Sequence, residues 1–454
     1  MEHDEADETA TPNDGSSILD EWMKNILKTA ADKRQRGTDF ERLVKWFLQH
    51  DPSWQSKLQD VWMWDEAPTN DGQDTGIDLV ALDVDGSYWA IQAKCYSKSL
   101  SFEDVSTFLA KAHMDKRYQH YMLADSAPAL SGQLEKLIGE DTGLTRVDYE
   151  TMRDANVDWD AFIHNKQAVH RTTFDPRPHQ REAIDSIKKT FETHDRCSLV
   201  MACGTGKTLT SLRLCEEMLG MGGTVLFLAP SISLISQTMR AWVNQIRDNE
   251  KINLYVVCSD PKASKIGKTK QEEDEAYGRL SDLPYPATTN PVTIAHRFRK
   301  HSDALNVIFS TYQSIDVIHQ AQQNGLFDFD LTICDEAHRT TGVMDGESAF
   351  QRVHDQEYLR SDKRLYMTAT PRIYGEDAKR KAREGVVPIA SMDDEKTYGP
   401  IAYRLGFGQA VERGLLTDYK IVVMGVTANM VRVPFQSITD AGMKLQIEDT
   451  AKFI

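Results

Sequence analysis

Met201-Ala202-Cys203-Gly204-Thr205-Gly206-Lys207-Thr208 is the stretch on which the reading of this 454-residue chain turns. A short apolar run, Ser198 to Ala202, precedes it and the helix-like Leu209 to Met218 follows, so it is a loop between a strand and a helix. Such a loop turns backbone N–H groups toward phosphate at a helix N-terminus, where the helix dipole favours negative charge. Gly204 and Gly206, with Thr205 between them as a further nucleotide-binding loop residue, keep the close approach possible. Lys207 is placed to reach the β- and γ-phosphates of a nucleotide, and Thr208 to hold Mg²⁺. Met201 stands where the generic GxxxxGK[ST] pattern has its first glycine.

About 130 residues further on, Leu331-Thr332-Ile333-Cys334 reads as a buried strand ending in Asp335-Glu336-Ala337-His338. Mg²⁺ needs a carboxylate near the γ-phosphate and hydrolysis needs a group to orient the attacking water; Asp335 and Glu336 supply these two roles. Around the pair, Thr224 to Ala229, Val307 to Ser310 and Arg364 to Met367 are apolar runs of strand length separated by helical segments. That alternation predicts an α/β lobe with a mostly parallel sheet and helices on both faces.

Upstream of the loop lies a smaller α/β unit. Ile18, Leu19, Trp22, Met23, Ile26, Leu27 and Ala30 recur at helical spacing behind a Ser17-x-x-Asp20 box, and a second helix is expected from about Thr38 to Gln49. A strand near Val61 to Trp64 and a hairpin of Ile77 to Asp83 with Ser87 to Cys95 come next. Helix-like Phe102 to His113, strand-like His120 to Asp125, helix-like Leu130 to Ile138 and strand-like Leu144 to Tyr149 complete it.

The hairpin carries Gly76-Ile77-Asp78 and Gln92-Ala93-Lys94. Side chains two apart on a strand share a face, so Gln92 and Lys94 point the same way. Phosphodiester cleavage needs a metal to activate water and a cation near the developing charge; Asp78 and the Gln92 amide oxygen are candidate ligands and Lys94 the candidate cation. The hairpin register decides whether they meet. A two-residue turn pairing Val84 with Ser87 sets Asp78 opposite Ala93 and facing away. A three-residue loop, Val84-Asp85-Gly86, pairs Asp83 with Ser87 and sets Asp78 across from Gln92. Glu41 is open to two readings, a further acidic ligand or the end of a Thr38-x-x-Glu41 capping box.

The net charge of −16 excludes a protein that coats nucleic acid by bulk attraction, although seven acidic residues fall in the first 20 positions. Local basic runs, Lys33-Arg34-Gln35-Arg36 and Lys262, Lys265, Lys268 and Lys270, are candidate phosphate contacts or plain solvated faces. Six scattered cysteines with no CxxC pair read as thiols in a reducing compartment. The N-terminus is acidic where a signal peptide is basic, and no apolar run approaches the roughly 18 residues of a spanning helix. The expectation is a soluble, cytoplasmic protein without a membrane partner. Trp62, Trp64, Trp89 and Phe102 are read as core aromatics rather than base-stacking ones.

The motor motifs resemble those of superfamily 2 helicases and translocases of the DEAH-box type, over roughly residues 174 to 420. The resemblance implies a RecA-like lobe that binds ATP with Mg²⁺. It makes Gln180 of Arg177-Pro178-His179-Gln180 a reader of adenine, and Ser231 and Gln237 (after Ala229-Pro230) contacts to a nucleic-acid backbone. Thr311, in Ser310-Thr311-Tyr312-Gln313-Ser314, is given the same role. Thr368 and Thr370 of Thr368-Ala369-Thr370-Pro371, with His338, would couple nucleotide state to the bound strand. Small polar residues after a strand also serve as N-caps, so the DNA contacts have a second reading.

The upstream unit looks like the PD-(D/E)xK nuclease fold in its Mrr-like form, with Gln92 where the usual acid stands; Glu41 matches that family's further acidic ligand. A nuclease directly before such a motor is similar to the type I single-polypeptide (type ISP) restriction-modification enzymes. Tyr398-Gly399-Pro400 and Arg404 through Lys420 resemble their passage into a second motor lobe. The organisation expected is an acidic disordered tail over residues 1–16, a nuclease domain over 17–168, an ATP-binding lobe over 169–400 and the start of an incomplete second lobe over 401–454. The resemblance implies an ATP-dependent restriction component acting on double-stranded DNA. Too few residues follow Lys420 for a second lobe, so a truncated product, or a second chain supplying that lobe, methyltransferase and target recognition, is expected, with weak ATPase in isolation. Two alternatives remain: an ATP-binding DNA sensor without turnover, and a repair helicase with a vestigial nuclease fold.

Overall fold

The hairpin takes the register that brings the candidate nuclease residues together. In the computed structural model, Leu79 pairs with Ile91, Val80 with Ala90, Ala81 with Trp89 and Leu82 with Tyr88, which places Asp78 across from Gln92. The Asp83 N–H donates to the Ser87 carbonyl at 2.8 Å and the Gly86 N–H to the Asp83 carbonyl at 3.0 Å. Gly86 has φ +88°, the left-handed conformation that a three-residue hairpin loop requires of its last residue. The structure describes residues 15–418 except 30–32, 73–75, 85, 139–143, 156, 167–172, 248–250, 259–282, 284, 286, 344–347 and 376–388. Most of the acidic tail, the four insertion lysines 262–270 and residues 419–454 lie outside the described residues.

The N-terminal unit runs α1 (Gly15–Thr29), α2 (Lys33–His50), α3 (Pro52–Gln55), β1 (Leu58–Met63), β2 (Leu79–Asp83), β3 (Tyr88–Lys94), α4 (Glu103–Met114), β4 (Tyr118–Asp125), α5 (Gly132–Glu135), β5 (Leu144–Asp148), α6 (Tyr149–Arg153) and α7 (Trp159–Ile163). Its five strands stand in the order β1-β2-β3-β4-β5, antiparallel as far as β3 and parallel beyond. Helix α2 lays Phe40, Leu43, Val44, Phe47 and Leu48 on one face of this sheet, all buried at helical spacing. Each such side chain contributes about 1.5–3 kcal/mol of burial, which fixes the rotation of α2 and so the direction of Glu41. Trp89 is fully buried and Trp62 and Trp64 pack against the core, as expected of strand aromatics.

Two expected helix starts are corrected. Helix α2 begins at Lys33, not near Thr38, so Thr38 and Glu41 are interior positions and the capping-box reading falls. Helix α1 runs from Gly15, ahead of Ser17, and the Asp20 carboxylate accepts from the Tyr149 hydroxyl at 2.8 Å. The helix expected over Leu130 to Ile138 is the single turn α5.

The second unit runs α8 (Pro178–Thr190), β6 (Arg196–Met201), α9 (Lys207–Met218), β7 (Thr224–Ala229), α10 (Ile232–Gln245), β8 (Lys251–Val257), α11 (Pro291–Arg297), β9 (Ala304–Thr311), α12 (Ile315–Gln323), β10 (Phe329–Cys334), β11 (Gly342–Val343), β12 (Ser361–Thr368), β13 (Ile389–Ala390) and β14 (Ile401–Leu405), with short helices at Glu395–Tyr398 and Phe407–Glu412. Seven parallel strands form the sheet β14-β6-β12-β10-β7-β9-β8. Every residue of β7 and β9 is buried, as parallel strands covered on both faces must be. Strand β14 pairs with β6, so the first lobe's sheet extends past residue 400, where the sequence reading had set its end. The physical reason is plain: without Ile401–Leu405 the polar groups of β6 would form a bare edge beside the phosphate loop. Between the units, Tyr285 stacks on Trp54, ring centroids 5.2 Å apart at 13°.

Candidate nuclease and nucleotide sites

The nuclease cluster forms where α2 crosses the hairpin. Asp78 is held by its own backbone: its N–H donates to the Ile91 carbonyl and its carbonyl accepts from the Trp64 N–H, both at 2.9 Å. Its Oδ2 accepts from the Ala93 N–H at 2.8 Å. Across the strand pair, Gln92 is 4% exposed and its Nε2 donates to the Gly76 carbonyl at 3.0 Å. Its Oε1 is buried with no hydrogen-bond partner among the described residues. A buried unsatisfied carbonyl costs about 1–3 kcal/mol, and a cation beside it would remove that cost.

Glu41 reaches the same place from the third turn of α2. Burial pushes its carboxyl up to about 7, the negative charge of Asp78 pushes the same way, and Lys94 opposes them. Asp65, in the turn after β1, adds a further negative charge to the neighbourhood, a residue the sequence reading passed over because only the Trp64–Asp78 backbone pairing brings it near. Among the described residues no three His, Cys, Asp or Glu side chains form a metal-holding group. The set here is two carboxylates and an amide oxygen, oxygen donors suited to a hard divalent cation. The protonated bias of Glu41 and the orphaned Gln92 oxygen both mark a cluster short of positive charge, so the residues present fit Mg²⁺.

The nucleotide site is built at the C-terminal edge of the second sheet. Gly206 caps α9 with φ +88°, and a Cβ there would fall 2.1 Å from Gln180 Nε2, so only glycine fits. Gln180 is 4% exposed; its Nε2 donates to the carbonyls of Gly206 (3.3 Å) and Thr205 (3.4 Å), and its Oε1 accepts from the Arg177 N–H at 2.8 Å. The amide expected to read adenine thus braces the loop. His179, quoted with that motif but given no role, shares the task, its Nε2 lying 2.9 Å from the Thr205 carbonyl. Thr205 turns its hydroxyl onto the Ala202 carbonyl at 2.7 Å, and Lys207 Nζ donates to the Met201 carbonyl at 3.3 Å.

Asp335 and Glu336 follow β10 beside Lys207, and their environments drive them apart. Burial raises Asp335 to about 6, helped by the charge of Glu336. The hydrogen bond from His338 holds Glu336 below its ordinary value against desolvation. Glu336 sits at φ +47°, a left-handed conformation rare outside glycine and a form of strain found at functional sites. His338 Nδ1 lies 3.1 Å from Thr368 Oγ1, and that oxygen accepts from the Thr370 N–H at 3.2 Å. The expected link between the acidic motif and Thr368-Ala369-Thr370 is therefore a direct contact.

Residues 49–169 match the family described as restriction endonuclease (Mrr_cat_2), and residues 173–373 the family described as type III restriction enzyme, res subunit (ResIII). The chain superposes on the solved ATP-dependent type ISP restriction-modification enzyme LlaBIII bound to DNA with a TM-score of 0.71 and 34% identity, over 88% of this chain and 26% of that one. Its two units thus take the fold of the corresponding quarter of that type ISP enzyme. It is also 30% identical to "Probable helicase A859L" of African swine fever virus, over 55% of this chain and 24% of the relative. To the type I restriction enzyme EcoAI endonuclease subunit of Escherichia coli it is 24% identical, over 56% and 25% of the two chains. The chain spans about a quarter of the length of these relatives.

The three side chains expected on DNA divide. The Ser231 hydroxyl accepts from the Leu234 N–H at 3.4 Å and caps α10. Thr311 is 5% exposed, and its hydroxyl is bonded to that of Ser314 at 3.0 Å. Both hydroxyls are engaged in local turns. Gln237, exposed on α10, is the one of the three whose side chain reaches the surface. Among the described residues no helix is long and apolar enough to cross a membrane.

Proposed function

We propose that this chain supplies the nuclease and first motor lobe of an ATP-dependent restriction endonuclease. The single observation that carries the reading is the Gln92 Oε1 atom, buried and unsatisfied directly across the hairpin from Asp78. Bound Mg²⁺ would supply there an activated water and charge stabilisation for the scissile phosphate. Asp78, Gln92 and Glu41 would hold it, and Glu41 would have to be ionised to do so. Lys94, on the Gln92 face of β3, sets its ammonium against the charge that develops on the phosphate.

In the motor, Lys207, now on the Met201 carbonyl, would meet the β- and γ-phosphates of ATP, and Thr208 and Asp335 would hold the Mg²⁺ that accompanies the nucleotide. Glu336, kept ionised by His338, orients the attacking water. Gly204, Thr205 and Gly206 present backbone N–H groups, and Gln180 releases the loop or reads the base edge as the site fills. The LlaBIII structure is of that enzyme bound to DNA, and this reading gives the present chain the same class of partner, duplex DNA, met through Gln237 and the backbone around Ser231 and Thr311. A second motor lobe, methyltransferase and target recognition belong in this reading to the remaining three quarters of such an enzyme, whether on one polypeptide or two. Cys95, Cys197, Cys203, Cys215 and Cys334 are free thiols, which accords with work in the cytoplasm.

The test is cleavage of supercoiled and linear duplex DNA by the purified chain in Mg²⁺, with and without ATP, beside Lys94→Ala. Cutting that disappears in the variant supports the reading. Cutting that persists in it, or DNA binding without any cutting, removes the nuclease from the account.

A further inference from the structure

The basic run at the start of α2 is not uniform. Lys33, Arg34 and Gln35 are exposed, while Arg36 is half-buried. The cause is helical spacing: Arg36 stands one turn ahead of Phe40 on the stripe that continues through Val44 and Phe47 onto the sheet, so its side chain runs out over the end of β3. Burial pushes the Cys95 thiol and the Tyr96 phenol up, and the Arg36 charge opposes it at both, which sets the guanidinium beside these two residues. Next along α2 comes Gly37, an interior helix position where glycine is less stable than alanine. A Cβ there would lie 3.8 Å from Glu41 Oε1, an ordinary contact, so no described neighbour demands glycine. What the bare backbone provides is open access to the nuclease cluster.

Tyr96, two residues beyond Lys94, is 36% exposed and yet fixed. One hydroxyl ties its backbone on both sides: Ser126 Oγ accepts from the Tyr96 N–H and donates to the Tyr96 carbonyl, each at 3.0 Å. The phenol reaches Asp104 Oδ1 at 3.4 Å, at the start of α4. Asp104 is itself locked, its Oδ2 accepting from the Ser101 N–H at 2.9 Å and the Ser101 hydroxyl at 2.6 Å. A cation, a bare stretch of helix and a held aromatic ring therefore border the cluster together. We infer that Arg36, Gly37 and Tyr96 form the track on which a DNA strand reaches the cleavage cluster: Arg36 takes a phosphate next to the one to be cut, Gly37 lets the strand pass close to Glu41, and the Tyr96 ring packs on a sugar. The inference rests on the nuclease reading and adds how the strand is held there. Contacts of this kind go to the sugar-phosphate backbone, so they place a strand without reading its sequence.

The experiment measures binding of a fluorescent DNA duplex to the full chain in EDTA over a series of salt concentrations, so that no metal loads the site and nothing is cut. Loss of one phosphate contact makes the fall of log affinity with log salt shallower by about 0.9. Arg36→Ala is expected to show that change with affinity roughly three- to tenfold weaker, and Lys33→Ala, which removes the same charge from the same run, to show neither. Tyr96→Ala is expected to weaken binding roughly two- to tenfold with the slope unchanged, since the ring carries no charge. Gly37→Ala is expected to raise the melting temperature, as alanine does within a helix, and still to weaken binding, which excludes loss of fold as the cause. Equal slopes in wild type and Arg36→Ala, or equal changes in Arg36→Ala and Lys33→Ala, overturn the inference alone, as does Gly37→Ala binding like wild type. DNA cutting in Mg²⁺ that persists in Lys94→Ala overturns the nuclease reading, and with it the placing of this track at a cleavage site, even where the Arg36→Ala slope has changed.

Discussion

The nuclease cluster and the phosphate loop face the same chemical problem, a phosphate to be held beside a cation, and are prepared for it in opposite ways. At the cluster the scaffold is finished and the chemistry is not. Strand register fixes Asp78 opposite Gln92, while a buried amide oxygen and an acid pushed up to about 7 stand short of positive charge. At the loop the polar groups satisfy one another, Lys207 on Met201, Thr205 on Ala202 and Gln180 on Gly206. The difference teaches that the first site selects a ligand by what it lacks. The second must break internal bonds to admit one, which suits a part that alternates between filled and empty states.

The sharpest break between the two comes from removing each site's lysine. Lys94→Ala is expected to lower the rate of DNA cleavage roughly 10²- to 10³-fold, with ATP affinity untouched. Lys207→Ala is expected to weaken ATP roughly 10- to 100-fold, measured by nucleotide displacement, while cleavage without ATP stays at the wild-type rate. A variant that moves both readouts would join what the structure separates.

Proton competition gives a middle-sized effect. With Glu41 raised to about 7, the site carries a proton below that pH which a metal must displace. Mn²⁺ affinity at the cluster is therefore expected to fall about tenfold per pH unit on going below 7, and to level off above it. Glu41→Gln is expected to bind more weakly at pH 8 and to lose this dependence; calorimetric titrations at a series of pH values read it. The smallest effects separate caps from contacts on α10. Ser231→Ala should cost about 1 kcal/mol of stability in a denaturant titration through loss of its cap. Gln237→Ala should leave stability alone and weaken duplex binding roughly two- to tenfold.

Much of this was legible in the residues. The loop, the Asp335-Glu336 pair and the α/β alternation carry their own periodicity and turn chemistry, and the two possible hairpin registers could be written down with the glycine that decides between them. Other features were not. The start of α2 at Lys33 depends on packing that local capping signals do not report, so Thr38 looked like a cap. Strand β14 joins the sheet from a segment read as the next lobe, because a parallel partner is chosen by tertiary contact rather than by sequence neighbours. Asp65 gains its place only through a backbone bond between its neighbour Trp64 and the distant Asp78. Ser231 and Thr311 match a motif by type, while their hydroxyls serve the turns that the motif sits on.

The measurement that bears most directly on the central claim is Mn²⁺ binding to the nucleotide-free chain at pH 8, in wild type beside Gln92→Leu and Gln92→Glu. The account predicts one site in the wild type, weakened at least about tenfold by leucine, which removes the oxygen, and tightened by glutamate, which adds the missing charge. Three indistinguishable titrations would contradict it, since the oxygen left unsatisfied opposite Asp78 would then have no metal to meet.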